Sequence, residues 1–236
     1  MKDLEQNVRS MAETCDEIVL EHEVNREVID AFHRVFYASR QTHGMTFFEG
    51  TPILKNPLDL WVYQEIIWDL KPTLIIETGT AYGGSALYFA RQLDRLKQGF
   101  VVSIDVEADG KLPHHDRITY LSGSSTDKEI VRALKACASS HPRVMVVLDS
   151  DHSKQHVLDE LAVYAPMVSP GQFLVVEDTN INGRPVEIDW KGGPGPGPAL
   201  DEWLPQHPEF MAEPMAARYL MTFHTWLRRD NEAQES

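Results

Sequence analysis

Cysteine is almost missing from this chain: Cys15 and Cys137 stand far apart, with no C-x-x-C spacing. That excludes a disulfide framework and a zinc ribbon, and a reducing cytoplasm is the expected compartment. Long apolar runs are missing too. No stretch approaches the roughly eighteen residues that a membrane span needs. The start, Met1-Lys2-Asp3-Leu4-Glu5, shows no hydrophobic signal core, so no export leader is expected. Positive charge is scarce: 22 Lys and Arg stand against 36 Asp and Glu, a net charge of −14. Phosphate backbones and anionic membranes want clustered basic residues, so nucleic-acid and membrane-surface binding are disfavoured, whereas a cation site stays open.

What is present fits a soluble globular protein. Hydrophobic residues make 42% and charged residues 25% of 236 positions, enough for one large α/β domain with added pieces. Residues 1–50 form one unit, a charged N-terminal helical extension that caps the domain or meets a sister subunit. Val24, Val28, Phe32, Val35 and Phe36 make its apolar stripe. Residues 51–236 form the second. Two close prolines, Pro52 and Pro57, mark a loop before a helix over about 58–70 that Pro72 ends.

The rhythm then becomes strand, loop, helix. Apolar runs at 73–77, 100–105, 118–121, 143–149 and 172–178 alternate with amphipathic segments at 85–97, 127–138 and 156–164. Continuous apolar strands between helices predict a mostly parallel, doubly wound sheet of Rossmann-like type. The stretch from Tyr219 to Arg229 should add an antiparallel C-terminal edge. Gly192 to Pro198 reads Gly-Gly-Pro-Gly-Pro-Gly-Pro, expected as a loop that, with residues from Ile181 onward, is either a lid over a pocket or a plain surface loop.

In such a sheet, ligands sit beyond the carboxyl ends of the strands. Four predicted strands end there at acids: Glu77, Asp105, Asp149 and the pair Glu177-Asp178. The first turn reads Glu77-Thr78-Gly79-Thr80-Ala81-Tyr82-Gly83-Gly84-Ser85. Its glycines let backbone approach a ligand closely. Ala81 stands where a dinucleotide fingerprint needs its second glycine, so a nucleotide-binding dehydrogenase is disfavoured. An acid ahead of the glycines suits a cationic ligand group such as an amino acid's ammonium. Asp105, at the end of the second strand, is placed to accept ribose hydroxyls. Gly123 and Ser124 could edge an adenine ring, or Ser124 to Asp127 could cap a helix.

Adjacent strands would bring Asp149, Glu177 and Asp178 together. Close carboxylates repel unless a cation or protons neutralise them. An all-oxygen set favours Mg²⁺, with Mn²⁺ or Ca²⁺ as other candidates. His152, three residues beyond Asp149, is a candidate general base. The remaining histidines, including His156 and His224, show no metal-binding spacing.

Through these residues the chain resembles class I S-adenosylmethionine-dependent methyltransferases of the cation-dependent O-methyltransferase type. More narrowly it resembles the cephalosporin hydroxylase / rhamnosyl O-methyltransferase family. The likeness runs from about Thr51 to Asn180, carried by Leu54-Lys55-Asn56-Pro57-Leu58-Asp59-Leu60-Trp61-Val62-Tyr63-Gln64-Glu65, the Glu77–Ser85 turn, 148–153 and Val176-Glu177-Asp178. It implies that Glu77, Gly79, Gly83 and Ser85 hold the methionine part of S-adenosylmethionine, with Thr80 in the same turn. It further implies that Asp105 holds the ribose and that Asp149, Glu177 and Asp178 bind Mg²⁺. The catechol-type enzymes place a lysine base where His152 stands and a tyrosine where Gly84 stands. The implied reaction is methyl transfer to a hydroxyl of a small acceptor, expected to be a sugar or glycoside, with a hydroxylated natural product as the alternative. A homo-oligomer is expected from the N-terminal stripe. A catalytically silent scaffold is the reading from another class, and it gives no reason for the acids to converge.

Overall fold

The structure, a computed structural model, describes residues 23–39, 41–42, 44–107, 111–188, 193–213 and 222–231. Helix α1 (Glu23–Ala38) leads to a short hairpin, β1 (Phe47–Phe48) and β2 (Thr51–Pro52). Helix α2 (Pro57–Leu70) precedes β3 (Leu74–Thr78). There follow α3 (Gly84–Leu96), β4 (Phe100–Asp105), β5 (Ile118–Ser122), α4 (Lys128–Ala138), β6 (Val144–Leu148), α5 (Lys154–Tyr164) and β7 (Phe173–Val176). Helix α6 (Pro196–Trp203), β8 (Phe210–Ala212) and β9 (Thr225–Arg229) complete the described elements.

Seven strands form one sheet in the order β5-β4-β3-β6-β7-β9-β8. The first five run parallel; β9 is antiparallel to both β7 and β8. Every residue of β3 and of β6 is buried, as expected for strands covered on both faces. Alternate side chains serve two cores. Leu74, Ile76, Val146 and Leu148 face Leu134, Leu161 and Trp203 of α4, α5 and α6. Ile75, Val101, Met145 and Val147 face Tyr63, Ile67, Phe89 and Leu93 of α2 and α3. Each such fully buried side chain contributes about 1.5–3 kcal/mol relative to exposure.

Helix starts follow local chemistry. The Asn56 side chain accepts from the Leu58 N–H (3.2 Å) with Pro57 at the first helical position, so α2 begins directly after Lys55 and Asn56. Asp127, not Ser124, caps α4, accepting from Glu129 and Ile130.

Three expectations need correction. The C-terminal antiparallel strand is not the edge. β9 lies between β7 and β8, hydrogen-bonded along both of its edges, and its Trp226 and Leu227 enter the cores on opposite faces of the sheet. The glycine–proline loop ends early, since Pro196, Gly197 and Pro198 form the first turn of α6, where proline's missing N–H costs nothing. The stripe of α1 is rotated: Phe36 is buried and Phe32 partly so, but Val28 and Val35 are 55% and 65% exposed. The inward face is instead Phe32, His33, Phe36 and Tyr37, whose rings surround Phe223. Val24's side chain, and the part of the N-terminal helix expected before Glu23, lie outside the described residues. Among the described residues no helix is long and apolar enough to cross a membrane.

Candidate active site

The parallel register sets the site. Thr78 pairs with Leu148 and Leu148 with Val176, so the residues after β3, β6 and β7 leave the sheet at one level. Chains leaving β3 and β6 diverge there, which opens a crevice. A cavity of about 530 Å³ occupies it.

One wall is the turn after β3. Gly79, at φ +89°, passes so close to the next strand that a Cβ would stand 1.9 Å from the Asp149 carbonyl oxygen. Asp105 braces this turn. Its Oδ2 accepts from the Thr80 and Ala81 N–H groups (2.8 and 2.9 Å), and its Oδ1 accepts from the Glu107 N–H (3.0 Å). Gly79, Thr80, Ser85, Asp105, Gly123 and Ser124 all line the cavity. Glu77 and Gly83 do not. Glu77 is 0% exposed beneath the turn, where the Ser103 hydroxyl donates to it (2.6 Å) and burial pushes its carboxyl up to about 7. Gly83 starts α3 in the left-handed conformation, close against Pro113 and Tyr120. The neighbouring Gly84 admits no side chain, since its Cβ would meet the Pro52 carbonyl oxygen at 2.2 Å.

The residues after β6 and β7 carry the acids. Asp149, His152 and Asp178 converge, with one ligand-type atom of each within 4.8 Å of the others, and all three line the cavity. His152 Nε2 is 3.5 Å from Asp178 Oδ2 and 3.9 Å from Asp149 Oδ1. Glu177, expected beside the other two acids, turns inward. One of its oxygens pairs with the Lys55 ammonium and the other accepts from the Tyr63 hydroxyl (2.6 Å). Lys55 also pairs with Asp149 Oδ2, and the Tyr37 hydroxyl donates to Asp178 Oδ1. His224 completes the inner side: its Nδ1 accepts from the Asp178 N–H (3.1 Å), and its Nε2 lies 3.3 Å from Asp59 and 3.5 Å from Glu177.

Burial, reinforced by the Glu177 charge, pushes Asp149 up to about 7 against the pull of Lys55. Burial acts upward on Asp178 as well, but His152, His224 and the Tyr37 hydroxyl together hold it below the usual carboxylate range. Burial works against the charge of Lys55, yet Asp149 and Glu177 hold its pKa above the ordinary lysine value, so it stays an ammonium group. Burial and the adjacent acids raise Tyr37 and Tyr63, which remain hydroxyl donors.

Lys55, Asp59 and Tyr63 did not come out of the strand-end reasoning. They arrive from the segment ahead of α2 and from α2 itself, spaced four residues apart. That spacing was the available signal: polar residues recurring along the buried side of an apolar helix. Tyr37 comes from α1 and His224 from just before β9, and His156, bonded to Ser125 (3.1 Å), lines the cavity beside Ser124. No local pattern marks these three.

The strand order, with a glycine turn after β3 and an acid ending β4 on the walls of the cavity, defines a class I methyltransferase fold. An apo structure of CmcI shares it, with a TM-score of 0.60 at 20% identity, covering 79% of this chain and 77% of that one. A CmcI structure with Mg and S-adenosylmethionine gives 0.58 at 18% identity over the same shares. The chain belongs to the rhamnosyl O-methyltransferase/CmcI family, whose model matches residues 40–230. It is 37% identical over 186 residues to the rhamnosyl O-methyltransferase of Mycobacterium tuberculosis H37Rv, covering 77% of this chain and 75% of that one. The family makes it an O-methyltransferase.

Proposed function

We propose that this protein transfers a methyl group from S-adenosylmethionine to a hydroxyl of a sugar or glycoside, with His152 taking the proton and a divalent cation at the acidic wall. The observation that carries the reading is the convergence of Asp149, His152 and Asp178 on the same cavity as the Gly79–Asp105 turn. The sugar acceptor is favoured by the relatives at 37% identity, named for rhamnosyl methylation.

The residues suit both groups. Gly79 leaves the close backbone approach that a side chain would fill. With Thr80, Ser85, Asp105, Gly123 and Ser124 it would hold the cofactor, which brings a methyl group on a positively charged sulfur. Carboxylate oxygens are the donors that suit a hard divalent ion, and Asp149 and Asp178 would hold it, with His152 beside it as the base and Glu177 reaching it on release from Lys55. Such an ion would acidify and orient the acceptor hydroxyl.

The need for that help is quantitative. A sugar hydroxyl is about as weak an acid as water, far above an ordinary imidazole, which titrates near ~6.5. Full proton transfer across roughly 9 units would cost about 12 kcal/mol. The imidazole of His152 lies 3.5 Å from Asp178 and 3.9 Å from Asp149, beside the place where that hydroxyl would be held.

Stripping the protein with EDTA should abolish methylation, and Mg²⁺ should restore it, read by mass spectrometry as one added methyl on a rhamnoside acceptor. Full turnover in EDTA would remove the ion from the mechanism, and no methylated product on any saccharide would remove the sugar. Asp105→Ala deletes a charged acceptor of two turn N–H groups, so S-adenosylhomocysteine should bind about 10- to 100-fold more weakly by calorimetry. Unaltered affinity would refute the Asp105 assignment.

A further inference from the structure

The acidic cluster is divided by the way its oxygens point. Asp149 Oδ1 and Asp178 Oδ2 face His152 and the cavity. Asp149 Oδ2 faces the other way, to the Lys55 ammonium, which Glu177 Oε2 also contacts. The remaining oxygens of Glu177 and Asp178 are taken by the Tyr63 and Tyr37 hydroxyls. One half of the cluster is therefore open to the cavity and the other is closed around a positive charge. Lys55 is only 3% exposed. Where packing is the only task, an aliphatic side chain is as stable as a buried ion pair or more so, so a lysine here points to a task for its charge.

We infer that Lys55 is a resident competitor of the divalent cation: its ammonium joins Asp149 to Glu177, and an ion using both carboxylates must displace it. The inference rests on the cation reading above and deepens it. Without an ion, Asp149 and Glu177 would repel each other, and the lysine supplies the charge that keeps them in place. With an ion present, the same charge opposes binding. Lys55 thereby sets how loosely the ion is held and whether Glu177 is available to it. It is a positioning residue: it lies against the acids and does not line the cavity.

The test is Mn²⁺ binding by calorimetry to the EDTA-stripped full chain, without cofactor or acceptor, for wild type, Lys55→Met and Lys55→Arg. Removing the charge should tighten Mn²⁺ binding at least about tenfold, while Lys55→Arg stays within about threefold of wild type. Equal or weaker binding by Lys55→Met, or equal tightening by Lys55→Arg, overturns the inference. Should Lys55→Met fail to fold, wild-type protein labelled with ¹⁵N at the lysine Nζ gives a second readout. The Lys55 ammonium resonance, assigned by its loss in Lys55→Arg, should shift or vanish at saturating Mg²⁺, and an unchanged resonance overturns the inference. A wild-type protein that takes up no Mn²⁺ removes the cation reading itself. A wild type that binds, with no tightening in Lys55→Met, removes the Lys55 role alone.

Discussion

His152→Ala is expected to lower kcat by about 10²- to 10⁴-fold, the range for loss of a positioned general base. The ring stands 3.5 Å from Asp178 and 3.9 Å from Asp149 on the cavity wall, where a hydroxyl held by those acids would meet it. The Gly79–Asp105 turn lines the cavity through residues other than His152. Affinity for S-adenosylhomocysteine should therefore change by no more than about twofold, a difference of under ~0.5 kcal/mol. Steady-state kinetics beside calorimetry separates the two effects. A loss confined to kcat indicates a group acting in the transition state, and an unchanged kcat would leave His152 a packing role.

The second large effect is on Gly79. Gly79→Ala places a methyl group 1.9 Å from the Asp149 carbonyl oxygen and 2.6 Å from its carbon. Both are backbone atoms at the end of β6, so no rotamer change relieves the overlap. The left-handed conformation, φ +89°, adds strain for an L-residue. Strain of about 1–2 kcal/mol and overpacking of about 1–3 kcal/mol give a loss of about 2–5 kcal/mol in denaturant unfolding. The repair available is a parting of β3 from β6, which would spoil the cavity, so cofactor binding should be lost as well. Gly183 supplies the control. It has nearly the same φ, +88°, and a methyl group added there would meet nothing within 4 Å. Gly183→Ala should cost only the strain, about 1–2 kcal/mol, and leave cofactor affinity intact. Similar losses in the two variants would show that strain, not the approach to Asp149, is what glycine relieves at position 79.

Much of this architecture was legible because it is written in contiguous residues. A run such as Val144-Met145-Val146-Val147-Leu148 has no polar face, so it belongs in a sheet covered on both sides. Strand-end acids follow from the same logic: once the strands are parallel and in register, Asp105, Asp149 and Asp178 must come out on one edge. The hairpin β1–β2 and strand β8 were not legible, being two or three residues long and stabilised by what they pair with. In α1 the valines mark an apolar stripe that is partly solvent-facing, while His33 and Tyr37 turn inward because Phe223, nearly two hundred residues later, offers their rings a partner.

By itself, then, the order of residues determined the alternation of buried strands and helices, the glycine turn, and which acids stand at the strand ends, since periodicity and steric freedom act over a few neighbouring positions. Only the tertiary structure decided where those acids point. It turned Glu177 inward to Lys55 and Tyr63, set His152 between Asp149 and Asp178, and buried Glu77 beneath the turn. The reason is electrostatic. A carboxylate leaving water takes its direction from the donors and cations within a few ångströms. Here those groups come from α1, the segment before α2, α2 itself and the residue ahead of β9, segments far apart along the chain.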